Sequence, residues 1–271
     1  MIKLIILDLD HTSLTNDKHL PSALINTIHT LRKDGIMVTV ATGRAFELTK
    51  PYTDMAKITM PVILNNGALI KDMNSGTIHL ANTLTKATKA KILDYVKKEN
   101  LHFTFYAEGA LYTNDQERIA FYEAFEKDFS VDLNIVKTMD ADQFMGTDVY
   151  KFLNIERDAK VFKKRYRTFK DTFDAHITQS QAEFLDILPV DTHKGNAVKW
   201  LKNHYNLTTE NILVFGDNDN DVEMFKEAGI SVAMPNGSDK ARHNATMIAL
   251  DNNNHDGVSK TLDYLRQTNR I

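Results

Sequence analysis

Lys3-Leu4-Ile5-Ile6-Leu7-Asp8-Leu9-Asp10 is an apolar run that ends on two acids. Consecutive apolar residues that include β-branched isoleucines read as a strand buried on both faces, as in parallel sheets. Successive strand side chains alternate between faces, so Asp8 and Asp10 leave on the same side if the strand persists that far. Like charges held that close resist joint ionisation unless a cation lies between them or one keeps its proton. The first solution is a metal site and the second sets an acid beside a base or nucleophile. An Asp-rich turn after a strand is the plain structural alternative.

Working outward, Ser22–Lys33 carries apolar residues at Leu24, Ile25, Ile28 and Leu31, begins beside Pro21 and is closed by Gly35, which predicts a helix. Met37-Val38-Thr39-Val40-Ala41 reads as a second buried strand, a helix-like segment follows Arg44, and Pro61-Val62-Ile63-Leu64 reads as a third strand. Strands alternating with helices predict a doubly wound, Rossmann-like α/β core on a parallel sheet. The rhythm returns in Asn211-Ile212-Leu213-Val214-Phe215, a helix from about Asp219, Ile230-Ser231-Val232-Ala233, Thr246-Met247-Ile248-Ala249-Leu250 and a C-terminal helix. Residues 84–188 differ, mixing helical stretches such as Lys86–Lys98 with alternating strands such as Val149–Ile155 and Phe184–Leu188. Phe103, Phe105, Tyr106, Tyr112, Phe121, Tyr122, Phe125 and Phe129 concentrate there and read as that segment's own core. A self-cored insertion between two halves of one sheet predicts a second, α+β domain at 84–188, with 1–83 and 189–271 forming the first.

The 271 residues suffice for such a pair. A net charge of −3, from 33 basic and 36 acidic side chains without long runs, gives no footprint for nucleic acid. The absence of cysteine excludes a disulfide framework, a thiolate metal site and a thiol nucleophile. No apolar stretch approaches membrane-spanning length and no targeting segment is evident, so a soluble cytoplasmic protein is expected, with no membrane partner, as a monomer or homodimer.

Ligands of open parallel sheets bind outside the carboxyl ends of strands, which singles out the residues after each run. Thr42-Gly43-Arg44 offers a hydroxyl and backbone donors to an anion near a helix start, with a helix N-cap as the structural alternative. Gly216-Asp217-Asn218-Asp219-Asn220-Asp221 suits a hard cation such as Mg²⁺ or Ca²⁺. A helix-loop-helix calcium site fails there, because Val222 stands where glycine is needed and Ala228 where a bidentate glutamate is needed. Lys194, at the start of a helix bearing Val198, Trp200 and Leu201, has nothing local to mark it.

Taken in order, Asp8-Leu9-Asp10-x-Thr12, Thr42-Gly43-Arg44, Lys194 and Gly216-Asp217-x-x-Asn220-Asp221 resemble the haloacid dehalogenase superfamily of aspartate-dependent phosphatases. The insertion's place and length, with Asn65-Asn66-Gly67-Ala68 after the third strand, resemble its Cof-like branch with a type IIB cap. The resemblance implies a Mg²⁺-dependent phosphoric monoester hydrolase acting on small molecules, such as sugar phosphates or phosphorylated cofactors. Asp8 would be the nucleophile forming an aspartyl-phosphate, and Asp10 an acid that keeps its proton for the leaving group and later serves as base. Lys194 would offset charge on Asp8 and the phosphoryl group, and Thr42, Gly43, Arg44, Asn66, Gly67 and Asn220 would bind substrate. Mg²⁺ would be held by the Asp8 side chain, the Asp10 main-chain carbonyl and Asp217, with Asp221 in the same metal set or supporting Lys194. Leaving-group contacts would come from the insertion, with Tyr106, Glu108, Tyr112, Lys151 and His176 as candidates.

His11 and Ser13 depart from the family pattern, which has glycine after the second Asp and an apolar residue two further on. A phospho-acceptor switch and a catalytically impaired binding homologue are the competing functions. Mg²⁺-dependent phosphate release separates a phosphatase from both.

Overall fold

The structure, a computed structural model, describes residues 1–137 and 141–271. Its first strands are β1 (Leu4–Leu7), β2 (Met37–Val40), β3 (Val62–Leu64), β4 (Leu69–Lys71) and β5 (Ile78–Ala81). Next come β6 (Thr104–Ala107), β7 (Ala110–Thr113), β8 (Ile135–Val136), β9 (Val149–Ile155), β10 (His176–Gln181) and β11 (Phe184–Leu188). The last are β12 (Ile212–Gly216), β13 (Ile230–Ala233) and β14 (Met247–Ile248).

A parallel sheet in the order β14-β13-β12-β1-β2 forms the core, with β1 between β12 and β2. The first strand is apolar at every position because both faces are covered. Ile5 and Leu7 pack with Leu24, Ile28 and Leu31 of the helix Ser22–Lys33 and with Leu262 and Leu265 of the helix Gly257–Gln267. Leu4 and Ile6 pack on the other face with Ala197, Val198 and Leu201 of the helix Lys194–His204. Side-chain alternation thus places helices on both sides of one sheet, the predicted doubly wound arrangement.

The expected third strand joins this sheet only through a parallel bridge between Ala41 and Ile63. Thr39 donates its hydroxyl to the Pro61 carbonyl at 2.7 Å, so a side chain stands in for ladder hydrogen bonding, and β3 pairs antiparallel with β4, which pairs with β5. The helix expected from about Asp219 is a short turn, Asp219–Asp221, followed by Val222–Phe225, and β14 is limited to two residues.

The inserted α+β cap is a sheet in the order β10-β11-β9-β6-β7-β8, antiparallel apart from β7 with β8. On one face Phe105, Phe144, Phe152 and Phe169 pack with Ile92 and Ile187, as expected for a segment with its own core. The other aromatics have a different destination. Tyr106, Tyr122 and Phe125 join the cluster that contains Leu48 and Tyr52, and the Tyr52 ring centroid lies 5.3 Å from that of Phe129. The helix Gln116–Phe129 therefore closes the cap onto the parallel-sheet core by apolar burial. Among the described residues, no helix is long and apolar enough to cross a membrane.

Candidate active site

The sheet brings two acid-bearing exits together. Leu7 lies opposite Phe215 in register, and the Asp8 amide donates to the Phe215 carbonyl at 3.0 Å. Beyond Leu7 the chain leaves the extended conformation in a single turn, Leu9–Ser13, with His11 at φ 58°. Asp10 thus reaches the site from a turn and not from a continued strand. The turn is tied down from both sides, since Ser13 Oγ donates to the Asp8 carbonyl at 2.6 Å and Thr12 Oγ1 donates to Asp217 Oδ1 at 3.1 Å.

Lys194 is completely buried, with Nζ 2.6 Å from Asp8 Oδ1 and 2.6 Å from Asp221 Oδ1. The other Asp221 oxygen accepts from the backbone amides of Asp217 at 2.9 Å and Asn218 at 3.0 Å. Such close packing demands glycine at position 216, where a Cβ would meet the Asp221 side chain at 2.6 Å. Burial pushes the Asp8 carboxyl up to about 7 against the pull of Lys194, with Asp221 adding repulsion. Asp217 is raised well above the usual carboxylate range by burial and by the Asp8 and Asp221 charges. Burial would lower the Lys194 ammonium, but Asp221 and Asp8 outweigh it and raise its proton affinity.

Asp8, Asp217 and Asp221 each offer an oxygen within 4.8 Å of the others. Three buried carboxylates around one lysine cannot all ionise without a further cation, and the all-oxygen donor set suits a hard divalent one. Asp8 and Asp217 are the freer donors, because both Asp221 oxygens already have partners.

Asp10 departs from its expected state. Arg44 grips it through two nitrogens, Nε to Oδ2 and Nη2 to Oδ1, both at 2.8 Å, and Lys18 Nζ adds a third contact at 2.8 Å. Burial would push the Asp10 carboxyl up, but the two cations outweigh it and hold it well below the usual range. The expectation that Asp10 keeps a proton is therefore corrected: in this arrangement it is ionised. Arg44, expected to bind substrate, has this carboxylate as its partner, with its guanidinium 5.0 Å from the Tyr52 ring centroid.

The substrate-binding candidates divide. A cavity of about 270 Å³ lies between core and cap, and its walls carry Asp8, Asp10, Gly43, Arg44, Asp217 and Asn220. Thr42 is fully buried, and its Oγ1 accepts from the Arg44 amide at 3.2 Å. Asn66 spends its side chain on Asp186 of β11, at 3.0 Å, and on Asn220, at 2.9 Å, so it ties the core to the cap. Gly67, at φ 99°, packs where a Cβ would lie 2.5 Å from the His193 carbonyl oxygen, which makes its role steric. Neither residue's observed contacts are those of a substrate ligand.

Of the cap candidates, Tyr106 and Lys151 line the cavity. Lys151 donates to the Gly43 carbonyl at 2.6 Å, and its Nζ lies 3.3 Å from Asp186. Glu108 pairs with Lys71 and accepts from Tyr150, Tyr112 packs on Phe144 in the cap's own core, and His176 faces His193 at a ring separation of 5.7 Å. These last three belong to other surroundings than the main cavity.

Sequence reasoning missed Lys18, Asp186 and Arg118, whereas Thr12, part of the first motif, ties the turn to Asp217. Asp186 was the findable one, as a lone acid in the apolar strand Phe184–Leu188. The other two acquire meaning only from the folded cavity whose wall they share.

The two departures from the family pattern have local explanations. His11 occupies the left-handed region that favours glycine, and burial lowers the proton affinity of its imidazole. Ser13 replaces apolar bulk with a hydroxyl bonded to the Asp8 carbonyl, beside an apolar void of about 10 Å³ lined by Leu7, Leu24, Ile28 and Tyr52. His11→Gly should raise stability by up to about 1 kcal/mol by relieving the backbone while keeping the maximal rate within a few-fold. Thermal melting and steady-state kinetics check this, and a rate gain on the order of 10²-fold would show that the imidazole impairs turnover.

A doubly wound parallel sheet that gathers buried strand-end acids around one lysine, under an inserted α+β cap, is the arrangement of a capped α/β hydrolase. The chain matches the haloacid dehalogenase-like hydrolases over residues 5–262 and belongs to that family, in its Cof-like branch. It is 30% identical over 268 residues to a protein of Mycoplasma genitalium provisionally designated a phosphatase, covering 95% of this chain and 96% of that one. It is 26% identical over 284 residues to the Bacillus subtilis 5-amino-6-(5-phospho-D-ribitylamino)uracil phosphatase YwtE, covering 97% and 98%. Among solved structures, that of TM0651 from Thermotoga maritima has a TM-score of 0.78 at 28% identity, covering 97% of each chain. Within this family, and with phosphatases among its full-length relatives, the chain is a phosphatase.

Proposed function

We propose that the chain hydrolyses small-molecule phosphate monoesters in two steps, with transfer of the phosphoryl group to Asp8 followed by hydrolysis of the aspartyl-phosphate. The observation that carries this reading is the Asp8–Lys194–Asp221 bridge, with Asp8 and Asp217 in the wall of the cavity between core and cap. The cap is taken as residues 84–188 and the core as 1–83 and 189–271. Mg²⁺, held by Asp8, Asp217 and the Asp10 main-chain carbonyl, would neutralise the acid cluster, keep Asp8 ionised and offset charge on the phosphoryl group.

The protein's own groups supply the rest. Lys194 fixes one Asp8 oxygen, which orients the other for in-line attack on phosphorus. The Asp10 carboxylate suits the second step, in which a base takes a proton from the attacking water. Its first-step role as acid requires a weaker hold from Arg44 and Lys18. A phosphoryl dianion that draws either cation toward itself removes part of what keeps Asp10 ionised and raises its proton affinity.

Phosphate release from a panel of monoesters, with and without Mg²⁺, tests the reading. Mg²⁺-dependent turnover with transient mass addition of one phosphoryl group is expected; a lasting adduct without release would indicate a switch, and no reaction would sink the proposal. Mg²⁺ at about 100 times its dissociation constant should also stabilise the folded chain by about 2.7 kcal/mol, read as a rise in melting temperature. Asp217→Asn should lose most of that rise.

A further inference from the structure

Four cationic side chains line the main cavity, and three of them are compensated: Lys18 and Arg44 by Asp10, and Lys151 by Asp186. The fourth is Arg118, in the first turn of the helix Gln116–Phe129. Among the described residues it has no carboxylate partner. Its Nη2 donates to the Tyr122 hydroxyl at 2.7 Å and the Tyr106 hydroxyl at 3.3 Å, while Nε is buried without a hydrogen-bond partner. The guanidinium lies 4.8, 4.6 and 5.6 Å from the ring centroids of Phe121, Tyr122 and Phe184.

Helix formation does not account for this placement, since a cation in the first turn opposes the helix dipole. An Arg–carboxylate brace does not account for it either. Burying a charged group with unused donors is costly, and an incoming anion relieves that cost by pairing with the guanidinium. The aromatic rings hold the planar group in place and exclude water around it. The cavity volume of about 270 Å³ leaves room for a phosphoryl group and a small alcohol portion.

We propose that Arg118 determines specificity, so that the cavity prefers phosphate monoesters whose alcohol portion carries a second anionic group, a carboxylate or another phosphate, paired with the Arg118 guanidinium beside Tyr106. The inference rests on the phosphatase reading and deepens it, because it adds a charge requirement at the end of the substrate remote from the reacting phosphorus.

The test uses ω-carboxyalkyl phosphates of increasing chain length, each with its ω-hydroxyalkyl counterpart, and α,ω-bisphosphates to distinguish a carboxylate from a second phosphate. At the best length, kcat/KM for one anionic series should exceed that of the hydroxyl counterpart by about tenfold or more. Arg118→Gln should collapse that ratio, chiefly through KM for the anionic ester, whereas Arg118→Lys should retain part of it. Calorimetric binding of the same pairs to wild type and to both variants reads the preference without turnover, and circular dichroism checks that the variants are folded. The inference is overturned if no length favours the anion, or if the binding ratio survives in Arg118→Gln. Absence of turnover on every ester, with the Arg118-dependent binding ratio intact, would instead count against the phosphatase reading and uphold the anion subsite.

Discussion

Asp8→Asn should lower kcat by about 10³-fold or more while leaving the protein folded, because the substitution removes the proposed nucleophilic oxygen and little else. Asparagine has nearly the same shape, and its carbonyl oxygen can still accept from Lys194, which lies 2.6 Å from the native carboxylate. Asp8→Glu should be comparably slow, since the added methylene displaces the attacking oxygen from its line to phosphorus. Stability should change in a direction that distinguishes this result from damage. The Asp8 carboxyl is pushed up from the ordinary carboxylate range to about 7 in the folded chain, chiefly by burial. The folded state therefore holds this proton more tightly than the unfolded state, and ionisation on raising the pH from about 4 to about 7 favours unfolding. Asparagine does not titrate, so in the absence of a divalent cation the variant should lose less stability across that window and melt at or above the wild-type temperature at pH 7. Wild-type turnover by a folded Asp8→Asn protein would remove Asp8 from its assigned role.

The architecture was legible where burial imposes a repeating pattern. The Ser22–Lys33 helix follows its apolar spacing to the residue, and the uninterrupted Leu4–Leu7 and Ile212–Gly216 runs are neighbours in one parallel sheet covered on both faces. Strand exits in such a sheet converge at one edge, which singled out Asp8 and the Asp217–Asp221 cluster separately, and the family resemblance grouped them across the length of chain between them. Less legible was whatever depends on which side chain faces which. Asp10 looked like a second free acid because its partners, Lys18 and Arg44, come from two different loops. Gly67 was expected to bind substrate, whereas the His193 backbone accounts for its missing Cβ. Aromatic spacing marked the cap as self-cored but could not reveal that Tyr106, Tyr122 and Phe125 pack toward the parallel-sheet core. Periodicity reports that a face is buried, and only the fold reports against what.

Lys194→Met should be the most destabilising single change at the site. The native ammonium is fully buried and bridges Asp8 and Asp221 at 2.6 Å each, with Asp217 close enough to share a cation with both. Methionine fills similar space with a flexible apolar chain, so packing is largely kept and the loss is electrostatic. Removing one partner of a buried pair costs about 3–5 kcal/mol, because the remaining charge stays desolvated. For a chain of this size that corresponds to a fall on the order of 10 °C in melting temperature. Turnover should fall by about 10²-fold or more, since the charge that opposes Asp8 and the phosphoryl group is gone. A second substitution separates the two effects. Asp221→Asn in the Lys194→Met background removes one uncompensated charge while leaving a carbonyl oxygen to accept from the Asp217 and Asn218 amides. The double variant should therefore melt higher than Lys194→Met alone, a coupling of opposite sign to simple additive damage. It should stay catalytically slow, because restoring charge balance does not restore the ammonium. Additive destabilisation in the double variant would mean that Lys194 supports the site by packing and not by its charge.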